Sequence, residues 1–124
     1  MKPLYVFWGK VIIGKNRGKK LGFPTANISI HKNIPEGVYA SEVIIVGKNY
    51  AAATFIGSAK TFDEKNYHAE SYILDFSGNL YGKRITIRLF KKLRENKKFD
   101  SSQMLKKQLK QDILATRRFF SQGV

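Results

Sequence analysis

Cysteine is absent from this 124-residue chain, which excludes disulfides, thiolate metal sites and a cysteine nucleophile, and fits a reducing compartment, with the cytoplasm expected. Long apolar runs are absent too. The longest, residues 4–8, stops at Gly9 and Lys10, far short of the ~20 residues a membrane helix requires, so neither a spanning nor a targeting segment is expected. Acidic residues are scarce, 9 against 23 Lys and Arg, and the resulting net charge of +14 attracts polyanions of any kind. The cations are scattered, at Lys2, Lys10, Lys32, Lys48, Lys65 and Lys83 among others, which describes a solvated surface more than a binding band. Only the cluster at residues 15–20 sits beside a candidate phosphate site. Proline is rare, 3 against 10 glycines, as suits a fold with many tight turns. At this length one core is expected, so residues 1–124 read as a single domain.

Period-two patterning and β-branched or aromatic content predict strands over about residues 4–13, 25–30, 38–46, 50–56, 68–76 and 81–90. Glycine- and asparagine-rich punctuation separates them, with Gly47, Lys48 and Asn49 closing a hairpin. A polar segment, residues 57–66, is long enough to be more than a connector. After Phe90 the period changes to about 3.6, with Asp100 or Ser101 as N-cap, Gln103 in a capping-box place, and Leu105, Leu109 and Ile113 stacked. Met104, Leu114, Phe119 and Phe120 extend that stripe, and Tyr5, Phe7 and Trp8 are assigned to the core. Successive antiparallel strands of this length avoid two open edges by closing. The expected architecture is all-β with one C-terminal helix: a six-stranded antiparallel closed barrel over about 4–90, a loop over 91–100, and a helix over about 101–119 on the outside.

The run Leu21, Gly22, Phe23, Pro24, Thr25, Ala26, Asn27 carries the most chemical information. Pro24 fixes its own φ and holds Phe23 out of the helical region, so the segment runs extended and Thr25 and Asn27 project to one side. A hydroxyl and an amide oxygen suit Mg²⁺, which takes oxygen donors and leans on substrate phosphates. Upstream, Gly14, Arg17, Gly18, Lys19 and Lys20 form a glycine-rich cationic loop. It is not a P-loop: three residues separate its glycines, Lys20 stands where Ser or Thr should be, and a strand follows in place of a helix N-terminus. A cationic flap survives, whose backbone N–H groups and side chains can meet phosphate oxygens.

Glu70 opens an otherwise apolar stretch and is the best candidate general base. His68 shares its strand face, but His31 is the only other histidine, which leaves a histidine metal site short of ligands. Arg94 and Phe99 lie between the last strand and the helix, a planar cation and an aromatic able to cover a flat ligand, although on the residues alone a solvated charged linker before a helix cap is the better reading.

Gly9, Val11, Gly14, Arg17, Gly18, Lys20, the Phe23-Pro24-Thr25-Ala26-Asn27 run, Gly37 with Val38, Tyr39 and Ala40, then Glu70 with Ile73, Leu74, Asp75 and Phe76, and Leu80-Tyr81-Gly82 occur in the order and spacing of the riboflavin kinases. The sequence resembles that family from about residue 9 to 117. The resemblance implies a Greek-key barrel that transfers the ATP γ-phosphate to the riboflavin 5′-hydroxyl with Mg²⁺, giving FMN and ADP. It further implies Thr25 and Asn27 on metal and phosphates, Gly14, Arg17 and Lys20 over ATP, Glu70 as base, and Arg94 and Phe99 beside the flavin. A monomer is expected, with small-molecule substrates, no specific nucleic acid and no membrane. Many bacterial relatives also carry an adenylyltransferase domain, so a kinase-only protein or a separated half, with a separate FMN adenylyltransferase downstream, is expected. Phe55 stands where the family has Asn, Lys60 where it has Pro, and Glu95-Asn96 where Pro-Glu is frequent; the first two are expected to alter the nucleotide side. A small basic nucleic-acid-binding barrel and a flavin-binding protein with lost catalysis are the other readings of these residues.

Overall fold

A computed structural model describes residues 1–12, 25–31, 33–58 and 67–122. The strands are β1 (Tyr5–Lys10), β2 (Thr25–Ile30), β3 (Gly37–Ile45), β4 (Lys48–Ser58), β5 (Tyr67–Ile73) and β6 (Arg84–Arg94), followed by one helix, α1 (Ser102–Gln122). They form one six-stranded sheet in the order β1-β6-β3-β4-β5-β2, antiparallel at every step. The consecutive strands β3, β4 and β5 with β6 returning beside β3 make the Greek-key pattern. The sheet curls until its ends meet, where the Ile12 N–H donates to the Asn27 carbonyl at 2.7 Å. The expected barrel and helix are therefore present.

Strand alternation sorts the side chains. Phe7, Ala26, Ile28, Ile30, Tyr39, Val43, Ala52, Ile56, Ala69, Ile73, Ile85, Ile87 and Leu89 point inward and form the core. Residues between them face outward. Phe7 and Trp8 are neighbours on one strand and must point to opposite sides, so Phe7 is buried while Trp8 is 64% exposed. The expectation that Trp8 joins the core is corrected accordingly.

Inside the barrel three hydroxyls form a chain across neighbouring strands. Ser41 Oγ donates to the Ala52 carbonyl at 2.8 Å, which uses its single proton; Thr54 therefore donates to Ser41, and Ser71 to Thr54 at 2.7 Å. All three residues are fully buried, so each hydroxyl requires such a partner.

The β3–β4 hairpin turns on Val46 and Gly47, both at positive φ (47° and 76°), the two-residue turn that matches strand twist. Lys48 and Asn49, expected in the turn, are instead the first residues of β4; β4 runs on through Gly57 to Ser58, and β6 runs past Phe90 to Arg94, both further than the sequence suggested. The longer β6 places Arg94 on the sheet itself and not in a connector.

Helix α1 packs on the outer face of β3 and β4. That face is built for it, since Val38, Ala40 and Ala53 are small or apolar, outward and buried. Ser101 is the N-cap: its Oγ accepts from the Met104 N–H at 3.2 Å, which moves Gln103 out of the capping-box place. The packed face carries Leu109, Asp112 and Thr116, whereas Met104 and Leu114 are exposed and do not extend the apolar stripe. At about 100° per residue, Leu114 is turned away from the side that Asp112 and Thr116 share. Phe119 and Phe120 do close the helix end, against Phe90 at 6.4 and 5.8 Å between ring centroids.

Candidate active site

The register of β2 on β5 sets the site. Asn27 lies directly opposite Glu70, and Thr25 opposite Tyr72. On the other side of β5, Glu70 faces Phe55 and His68 faces Gly57 across β4. All of these residues stand on the outer face of the barrel, because their sequence neighbours Ala26, Ile28, Ala69, Ile73 and Ile56 fill the interior. Thr25 and Asn27 thus share one outward face, as expected, with Asn27 4% exposed and Thr25 half-buried. Side chains directly opposite on such a ladder have Cβ atoms about 4.5–5.5 Å apart, so an amide oxygen and a carboxylate converge here.

Glu70 sits in the middle of β5 and not at a strand start, and is 2% exposed. A carboxylate so buried requires hydrogen bonds. One comes from the Tyr72 O–H, which donates to Oε1 at 2.7 Å along the same strand face. Period-two arithmetic from Glu70 could have pointed to Tyr72; the sequence reading passed over it.

Between this face and α1 lies a cleft of about 490 Å³, within the range of small-molecule sites. The sheet contributes Val38, Phe55, Gly57, His68 and Tyr72; the helix contributes Leu105, Leu109 and Asp112; Arg94, Asn96 and Phe99 form the rim. Arg94 and Phe99 are therefore brought together, the guanidinium carbon 5.9 Å from the ring centroid. Arg94 is also held from the helix, donating from its Nε and an Nη to the two oxygens of Asp112 at 2.8 Å each. Gln108 donates to the same carboxylate at 3.0 Å. Asp112 went unnoticed in the sequence; the available signal was an acid three residues after Leu109, on the buried side of the helix.

Phe55 lies in this cleft beside Arg94 and Phe99. Its ring covers Gly57 so closely that a Cβ built there would be 2.5 Å from the ring. His68 stands 5.9 Å from Phe55, centroid to centroid. Among the described residues no group of three or more His, Cys, Asp or Glu could hold a metal ion. The oxygen donors of Thr25 and Asn27, next to Glu70, fit instead an ion that takes few protein ligands and several phosphate or water oxygens. Gly14, Arg17 and Lys20, and with them Lys60, lie outside the described residues. Among the described residues no helix is long and apolar enough to cross a membrane.

Comparison with known proteins identifies the family. The riboflavin kinase (flavokinase) family model matches residues 1–120. The chain is 39% identical over 123 residues to the trifunctional protein RibF/MnmA of Mycoplasmoides gallisepticum, covering 97% of this chain and 19% of that protein. It is 36% identical over 115 residues to the bifunctional riboflavin kinase/FMN adenylyltransferase of Escherichia coli, covering 90% of this chain and 37% of that one. It thus spans well under half the length of these curated relatives. Riboflavin kinase from Trypanosoma brucei, a solved structure, superposes with a TM-score of 0.68 at 28% identity, covering 98% of this chain and 82% of that one. With nearly every position inside one family's pattern and its barrel shared with a solved member, the chain belongs to the riboflavin kinase family.

Proposed function

We propose that this chain transfers the γ-phosphoryl group of ATP to the 5′-hydroxyl of riboflavin, releasing FMN and ADP. The observation that carries the reading is the pairing of Asn27 with Glu70 on the outer face, beside a cleft sized for a tricyclic ring. The flavin ring enters between the barrel and α1, against Val38, Phe55, Leu105 and Leu109, with Phe99 and Arg94 at its edge. This orientation directs the ribityl chain past Tyr72 toward Glu70. Thr25 and Asn27 hold Mg²⁺ and the triphosphate, and the cationic residues Arg17 and Lys20, with Gly14, cover the nucleotide. Mg²⁺, when bound, offsets phosphate charge as it redistributes.

Glu70 supplies the acid–base step. As the 5′-oxygen forms its bond to the γ-phosphorus and the bond to the β–γ bridging oxygen breaks, the hydroxyl proton passes to the Glu70 carboxylate. Little covalent work is asked of the protein, so alignment of the alcohol, held by the cleft, supplies much of the effect. The chain works as a monomer in the cytoplasm, and an FMN adenylyltransferase consumes its FMN.

Incubation with riboflavin and MgATP, with FMN separated by chromatography, tests the activity. Glu70→Gln is expected to lower kcat by about 10²-fold or more while riboflavin still binds. An unchanged rate with chemistry limiting removes Glu70 from its role.

A further inference from the structure

Tyr72 does more than fill space. Its ring is 5% exposed, lines the cleft and lies between Thr25 on β2 and Ala53 on β4. A phenylalanine would bury the same apolar surface without desolvating a hydroxyl, so the hydroxyl stabilises this site only through a polar partner. That partner is Glu70 Oε1, at 2.7 Å. Two residues apart on one strand face, the two side chains meet through this bond, and the bond fixes the plane in which the carboxylate presents its remaining lone pairs. We propose that Tyr72 is a positioning residue for Glu70, aiming the carboxylate at the alcohol proton. The inference rests on the reading of Glu70 as base.

Tyr72→Phe, Glu70→Gln and the double variant of the full chain test it, with rates expressed per riboflavin-binding site counted by quenching of flavin fluorescence, so that misfolded chains do not enter. Tyr72→Phe is expected to lower kcat about 10-fold, the rate equivalent of one hydrogen bond to a charged group, with KM for riboflavin and MgATP within about threefold of the parent. In the Glu70→Gln background the same change is expected to cost nothing further, because the group it positions is gone. A parental kcat for Tyr72→Phe beside a slow Glu70→Gln overturns the positioning role alone. So does a tenfold loss repeated in the Glu70→Gln background, which would assign the effect to packing. A parental rate for Glu70→Gln overturns the base assignment and this inference together.

Discussion

Arg94 and Asp112 join the last residue of β6 to the buried side of α1 through two parallel 2.8 Å bonds. Asp112 is almost fully enclosed, its side chain 4% exposed against 19% for Arg94. Removing one member of such a pair leaves the other without its counter-charge.

Asp112→Ala is accordingly expected to cost about 3 kcal/mol of stability, toward the low end of the usual range because Arg94 reaches solvent. Urea unfolding measures it. The same variant is expected to weaken riboflavin binding, since Arg94 and the cleft rim lose their anchor on the helix; a parental dissociation constant would separate the ion pair from the cleft.

Asn27→Asp places a second carboxylate directly opposite Glu70. Like charges across a ladder repel, so the melting temperature is expected to fall in EDTA. Added Mg²⁺ is expected to raise it by more than in the parent, because two carboxylates make a stronger hard-cation site and binding to the folded state stabilises it. Equal Mg²⁺ responses in the two proteins would argue against a metal at this pair.

Gly57→Ala introduces a Cβ 2.5 Å from the Phe55 ring. The obstacle is the far end of a side chain, so the ring swings and the barrel persists. Riboflavin affinity is expected to drop about tenfold, ~1.4 kcal/mol, with the unfolding midpoint nearly unchanged. Fluorescence titration and thermal melts read the two quantities separately.

Val46 is a β-branched residue held at φ 47° and 85% exposed, at the tip of the β3–β4 hairpin. Asparagine tolerates that conformation far better and forms the favoured Asn-Gly turn. Val46→Asn is expected to stabilise by about 0.5–1 kcal/mol without touching turnover, as read by denaturant unfolding.

The Tyr39 phenol, which donates to the Pro35 carbonyl at 2.6 Å, has its pKa raised above the ordinary value of 10.0, first by burial and then by the nearby Tyr5 and Glu95. Above about pH 10 the unfolded chain releases this proton before the folded one does. Its contribution is thus complete below pH ~10 and lost as pH rises through the higher folded value. Tyr39→Phe is expected to flatten the alkaline fall in stability, whatever its offset at neutral pH; parallel slopes in the two proteins would count against the shift.

The barrel was legible because alternation, β-branched residues and turn glycines agree along the chain, and the core residues Ile28, Ile30, Ile85, Ile87 and Leu89 stand at period two. The outer face was harder to read. Period two divides each strand into two sides but does not say that the second side is buried as well, so Glu70 read as a strand-end acid although it is enclosed. Thr25 with Asn27 was singled out from strand spacing and Arg94 with Phe99 from the family resemblance; in the fold Thr25 and Asn27 share one strand face and Arg94 stands near the Phe99 ring. Tyr72 and Asp112 act through Glu70 and Arg94, which are distant in neither space nor chemistry but are fixed by register and by helix packing. The Trp8 assignment failed for a simpler reason: adjacent strand residues cannot both be inside.

The three interior hydroxyls have a consequence for Glu70. Ser71 bonds to Thr54 only if β5 is in register with β4, and a slip of one residue would send Glu70 into the apolar barrel while leaving Thr54 without its donor. Both faults penalise the same misalignment. The chain of hydroxyls beneath β5 thus acts as a proofreading lock, by which the interior side of the strand favours the outward aim of the acid on its other side.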